Sequence, residues 1–235
     1  TYTDALGMAA KDVPLISYLN EQGYRAVATA PGREDSQPIE LVASENNELV
    51  FEMPGRGNVA YNITDSTGLS IPSQISFWQD DKLVKRFSLE SGSGMLAISP
   101  GEYDVGISRG FEYSIVELPI VVGSTNPAQL TTSLARMVDT TGYMSFDAHV
   151  HSSPSPDSEV SPIDRITSAA ATGLEVVVST DHEIITDLQP AITATNLDPW
   201  VATVIGQEVT ATLPNQPFAY PLAQHSNNPR TGPIP

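Results

Sequence analysis

From Glu48 to about Met137 the chain runs in short alternations of apolar and polar residues. These are Leu49-Val50-Phe51-Glu52-Met53, Gln74-Ile75-Ser76-Phe77-Trp78, Leu83-Val84-Lys85-Arg86-Phe87 and Met95-Leu96-Ala97-Ile98. A period of two turns one apolar face of each run inward, as in half-buried strands. Turn formers separate the runs at Pro54-Gly55, Asp80-Asp81, Ser91-Gly92-Ser93-Gly94 and Ser99-Pro100-Gly101. Several short strands with regular turns predict an antiparallel β-sandwich over residues 46–138. Ahead of it, residues 1–45 read as a lead-in. This segment mixes an amphipathic stretch, Val13-Pro14-Leu15-Ile16-Ser17-Tyr18-Leu19, with the turn-rich Ala30-Pro31-Gly32-Arg33-Glu34-Asp35-Ser36.

Over residues 139–235 the periodicity changes. Tyr143 to His151 predicts a short strand ending in a polar loop. Ser161-Pro162-Ile163-Asp164 then offers an N-cap, a proline at the first helical position and an acid near the positive end of the helix dipole. A helix through Arg165–Ala171 should stop at Gly173, whose missing β-carbon permits a left-handed cap. Leu174 to Thr180 predicts a buried strand, Leu188 to Asn196 a second helix, and Val201 to Thr212 a third strand. This βαβαβ order implies parallel strands with helical crossovers and functional residues where the strands end. The whole chain therefore reads as a two-domain α+β protein.

Composition narrows the chemistry. With 28 acidic against 11 basic residues, the formal charge of -17 repels nucleic acid and anionic lipid and attracts cations. No apolar run approaches the roughly 20 residues a membrane-spanning helix needs. An apolar fraction of 40% over 235 residues is enough for real cores. There is no cysteine, so any metal must be met by imidazole and carboxylate. Abundant Thr, Ser, Asn and Pro with few Lys points to an extracytoplasmic protein, periplasmic or secreted.

Three of the four histidines, His149, His151 and His182, fall at or just beyond the ends of predicted strands. In His149-Val150-His151 the period of two puts both imidazoles on one side of a strand, where they can converge on one ion. Asp147 precedes the pair and Asp157 follows in Ser155-Pro156-Asp157-Ser158. A carboxylate there serves either as a hard oxygen ligand or as a support for the far ring nitrogen of a ligating histidine. Asp181-His182 closes the neighbouring strand in the same way. Glu208, in Gly206-Gln207-Glu208-Val209, lies in an apolar run, where a charge is costly unless a cation or partner pairs with it.

Read together, several segments resemble the polymerase and histidinol phosphatase (PHP) superfamily of metallohydrolases, closest to its carbaryl-hydrolase-like branch. They are Phe146-Asp147-Ala148-His149-Val150-His151-Ser152, Ser155-Pro156-Asp157-Ser158, Ala170 to Val178, Ser179-Thr180-Asp181-His182-Glu183, Gly206 to Thr210, and Ala219-Tyr220-Pro221-Leu222. The resemblance implies a distorted β/α barrel with two or three divalent metals, zinc, manganese or iron. It places His149 and His151 on one ion, Asp157 and His182 on a second, and Glu208 between them. Asp147 and Asp181 would stand behind these ligands. Two departures follow. Asn215-Gln216 stands where the family usually has Gly-His, which leaves Gln216, or His225 further on, as a substitute ligand. The likeness also covers only about the first third of a barrel of roughly 200 or more residues, so the family's later histidines and final Asp-x-His ligands have no counterpart. In the first half, Ser99-Pro100-Gly101-Glu102-Tyr103-Asp104-Val105 resembles the Pro-Gly-x-Tyr strand of carboxypeptidase regulatory-like, transthyretin-like sandwiches.

Two functions compete at this point. One is a metal-dependent hydrolase that uses a metal-activated water on a phosphoester, or on a carbamate, ester or amide bond, of a small-molecule substrate. Arg165 and Ser152 are its nearby candidates for contacting an anionic substrate. The other is a non-catalytic secreted module in which a part-barrel keeps a structural cation site and associates with copies of itself through exposed strand edges.

Overall fold

The computed structural model describes residues 24–41, 49–53, 55–210 and 216–223. Val13–Leu19, Asn215 and His225 lie outside them. Within the expected lead-in, β1 (Tyr24–Ala26) and β2 (Ile39–Leu41) pair antiparallel, with Arg25 reaching Glu40 across the pair at 2.7 Å. The next strands are β3 (Asn58–Asp65), β4 (Ser73–Gln79), β5 (Lys82–Leu89), β6 (Ser93–Ala97), β7 (Gly101–Ser108), β8 (Val116–Val122) and β9 (Ala128–Leu134). They form two sheets, ordered β5-β4-β7-β8 and β6-β3-β9.

Alternation explains which side chains meet inside. Val59 and Ile63 of β3, Ile75 and Phe77 of β4, and Val105 and Ile107 of β7 are buried in one cluster shared by both sheets. Phe77 packs edge-on against Phe87 and Tyr103 at centroid distances of 5.9 and 5.6 Å, the arrangement the ring quadrupoles favour. Asp80 and Asp81 both hold positive φ, 50° and 61°, and so turn β4 into β5 in two residues.

Two expectations for this half need correction. Leu49–Met53 forms no strand, and Val50 is 81% exposed. An alternating run becomes a strand only where a neighbouring ladder receives its backbone, and this one has none among the described residues. The sandwich is also not wholly antiparallel, because β9 runs parallel to β3. The segment after β8 carries the chain from one sheet to the other, which leaves β9 beside β3 in the same direction.

The second half holds β10 (Phe146–Val150), α1 (Pro162–Ala171), β11 (Val176–Ser179), α2 (Gln189–Thr195) and β12 (Ala202–Ile205). The three strands are parallel in the order β10-β11-β12. They make an open sheet and not a closed barrel. Ser161 caps α1 as its residue type suggests: its hydroxyl accepts from Asp164 N at 3.1 Å and donates to the Asp164 carboxylate at 2.6 Å. Ser161→Ala is expected to cost about 1 kcal/mol of stability, readable as a shift of the urea midpoint at unchanged slope. At the far end Gly173 takes φ +75° after the Thr172 cap. Ile166, Ala170, Val177, Leu188 and Ile192 bury the inward faces of both helices and the sheet.

The predicted continuous strand Val201–Thr212 breaks at Gly206. A β-carbon there would stand 2.9 Å from both the Ala219 and Ser179 carbonyl oxygens, closer than real β-carbons come. Glycine therefore lets the chain leave the parallel sheet and form β13 (Gln207–Glu208), which pairs antiparallel with β14 (Phe218–Ala219).

One buried cation joins the two cores. Arg109, just past β7 and 4% exposed, donates through Nη1 to the Pro72 and Ala170 carbonyls, each at 2.6 Å. Ala170 is in the last turn of α1, and its carbonyl also accepts from Gly173 N at 3.1 Å. The guanidinium lies 4.5 Å from the ring centre of Trp200, and that indole packs on both apolar clusters. Burial pulls the Arg109 pKa below its ordinary value, with Tyr113, Glu112 and Glu175 opposing the shift.

Candidate metal centre

The ends of β10, β11 and β13 meet at one edge. β10 slips by one residue against β11 between Asp147 and Val150, and the Asp147 carboxylate accepts from His149 N at 3.0 Å. Such a bulge frees a backbone N–H and re-aims the side chains that follow. Thr180 secures the strand beyond it, since its hydroxyl accepts from Val150 N at 3.0 Å. The His149 and His151 rings stand 4.9 Å apart, and those of His151 and His182 4.8 Å. After the break at Gly206, Glu208 forms a lone parallel bridge with His182, so its side chain enters the same space.

Five side chains therefore gather: His149, His151, Asp157, His182 and Glu208. Glu208 is 3% exposed, and its Oε2 lies 2.8 Å from His149 Nε2, 2.8 Å from His151 Nε2 and 3.6 Å from His182 Nε2. Asp157 Oδ2 lies 2.9 Å from His151 Nδ1 and 3.4 Å from His182 Nε2. Two sets have their ligand atoms within 4.8 Å of one another and could hold an ion: His149, His151 and Glu208, and His151, Asp157 and His182.

The donor set fits a divalent cation on geometric grounds. Ligand atoms about 2.1 Å from a common ion stand roughly 3.0–3.4 Å apart, close to the separations seen here. His151 Nε2 is buried, lies 2.8 Å from Glu208 Oε2, and still has no hydrogen-bond partner. A spacing of 2.8 Å between an imidazole nitrogen and a carboxylate oxygen is satisfied by a shared proton or by a shared cation.

The far ring nitrogens of His151 and His182 are occupied. Asp157 Oδ2 lies 2.9 Å from His151 Nδ1, placed to accept from it, and in a neutral ring that tautomer turns the Nε2 lone pair toward Glu208. Thr210 Oγ1 lies 3.0 Å from His182 Nδ1 and can hold that ring in the same tautomer. The Ser155 hydroxyl, donating to Asp157 at 2.6 Å, and then His151 bring the Asp157 carboxyl down to about 2 from an ordinary 3.8. Asp157 is thus anionic wherever an imidazole is neutral enough to ligate.

Asp181 has a structural task. It is fully buried, and its carboxylate accepts from Ser152 N at 2.6 Å, from Ser152 Oγ at 3.0 Å and from Thr186 Oγ1. It ties the loop after β10 to the end of β11, and among the described residues its carboxylate bonds to no imidazole. Ser152 is thereby removed as a substrate contact: it is 2% exposed and its hydroxyl is committed to Asp181. Asp147 likewise serves the backbone of His149 and not a ring nitrogen. Gln216 is exposed just before β14.

Sequence reasoning missed several supports. Ser155 accepts from His182 N at 3.0 Å while donating to Asp157, joining both ligand-bearing loops. Its place two residues before Asp157 is the signal that could have revealed it. Phe218 stacks on His149 at 4.9 Å, and Tyr220 stacks on Phe218 at 6.1 Å. No local pattern announces that β14 folds back on β13. An open cleft of about 340 Å³ lies beside the cluster, lined by Asp147, His149, Val150, His151 and Arg165.

Comparison of the chain with known protein families, with curated proteins and with solved structures returns no match. Among the described residues no helix is long and apolar enough to cross a membrane.

Proposed function

We propose that residues 139–235 are the N-terminal part of a PHP-type metallohydrolase domain, acting on a phosphoester or on a carbamate, ester or amide bond. The observation that carries this reading is the convergence of three imidazoles on the buried Glu208 carboxylate, with the Nε2 atoms of His149, His151 and His182 2.8 to 3.6 Å from one oxygen. Bound divalent cations, zinc, manganese or iron, would supply Lewis acidity and an activated water at neutral pH. The chain's own residues prepare the site. Glu208 faces the Nε2 atoms of all three imidazoles, His151 is common to both candidate sets, Asp157 keeps a proton on His151 Nδ1, and Thr210 steadies His182. Mixed imidazole and carboxylate donors do not choose sharply among these metals. The acidic chain suits an extracytoplasmic setting and a small-molecule substrate.

The test pairs metal content with hydrolysis of a chromogenic phosphodiester and a chromogenic carbamate ester. Bound metal with turnover of one of them, lost in His149→Ala/His151→Ala, is the expected result. Absence of both metal and turnover would retire the reading. The open sheet favours a second reading, since β10 and β12 each have one strand neighbour among the described residues. In it the cluster is a structural cation site and self-association covers the edges. A native mass well above 25.1 kDa together with metal but no turnover is what it expects.

A further inference from the structure

The cleft beside the cluster contains one cationic side chain, and nothing in the fold uses it. Arg165 is the fourth residue of α1, on the first turn after the loop that starts at His151. Its side chain lines the cleft with His149, His151 and Asp147. Its Nε is buried and has no hydrogen-bond partner, and among the described residues Arg165 makes no ion pair. Asp147 lines the same cleft without pairing to it. In a chain where acids outnumber bases 28 to 11, an unpaired arginine is not explained by a shortage of carboxylates. An arginine that only reached for solvent would present its Nε–H to water. Arg165 as a whole is half-buried, and with its Nε closed off and no carboxylate paired to it, the charge of its guanidinium is left to the cleft that it lines.

We infer that Arg165 is a specificity residue that pairs with an anionic oxygen of the substrate, phosphoryl or carboxylate, held next to the metal cluster. The planar guanidinium fork matches both groups and offers little to a neutral carbamate or ester. The cleft volume of about 340 Å³ suits a small ligand. This inference rests on the hydrolase reading above and narrows it to substrates that carry a negative charge at or beside the scissile bond.

The experiment titrates zinc-loaded protein with inorganic phosphate and, separately, with acetate, following binding by calorimetry in wild type, Arg165→Met and Arg165→Lys. Metal content is measured on every sample. Arg165→Met is expected to weaken binding of the preferred anion about 10- to 100-fold, the worth of a charge-assisted hydrogen bond, at unchanged metal content. Arg165→Lys, which keeps the charge and loses the fork, should recover only part. Tighter phosphate assigns a phosphoryl group, and tighter acetate a carboxylate. Equal affinity in wild type and Arg165→Met, or no anion binding by metal-bearing wild type, overturns the inference and leaves the hydrolase reading standing. Arg165-dependent binding to a protein that retains no metal does the reverse.

Discussion

Glu208→Ala is expected to lower divalent-cation affinity by at least about 100-fold. Partners that merely orient a ligand are worth about 10- to 100-fold in metal affinity, and Glu208 faces three ring nitrogens directly from a site that is 3% exposed. Competition with a chromogenic chelator reads the affinity. The same substitution separates a cation site from a bare hydrogen-bond network. If cations bind, zinc at 100 times its dissociation constant stabilises the wild-type fold by about 2.7 kcal/mol and chelator removes that gain. At the same zinc concentration Glu208→Ala should keep at most about 0.4 kcal/mol of that gain. A wild-type melting temperature indifferent to zinc and chelator would mean that the cluster is held by protons alone.

Arg109→Met is expected to destabilise the protein by about 2 kcal/mol: of the two carbonyls that Nη1 holds, the first loses its donor, at about 1–3 kcal/mol, and the second keeps Gly173 N at 3.1 Å, while methionine refills part of the stem. The carbonyls are those of Pro72, before β4, and Ala170, in the last turn of α1. Arg109→Lys should recover less than half, because one ammonium cannot reproduce the fork or its stacking on Trp200. Urea unfolding followed by tryptophan fluorescence checks both, as Trp200 reports from the affected contact. A loss below about 1 kcal/mol, the net worth of one ordinary hydrogen bond, would show that the sandwich and the α/β sheet do not depend on this residue for their union.

Legibility differed between the two halves for physical reasons. α1 was readable because its start signals are local: Ser161, Pro162 and Asp164 act on backbone groups within one turn. β3, β8 and β9 were not singled out, although Val59, Ile63, Leu130 and Leu134 are among the most buried side chains. Asn, Thr, Pro and Glu fill their outward positions, and that composition resembles loop as much as strand. Leu49–Met53 shows the converse, a good alternation with no ladder to join. At the cluster, residue type and strand-end position pointed to His149, His151, Asp157, His182 and Glu208 as neighbours, and they do stand together. The tasks of Asp147, Ser152 and Asp181 were not readable, because each depends on which donor its side chain meets across the fold.

What the amino-acid order alone determined is the kind of chemistry available: no thiolate, an excess of carboxylate, and imidazoles spaced by two at a strand end. Those features depend on covalent identity and the geometry of a single strand. Tertiary structure alone decided which atoms share a centre. The bulge after Asp147 aims two rings, and the break at Gly206 swings Glu208 under three imidazoles. Both depend on the close approach of backbones far apart in the chain, and no local pattern records that approach.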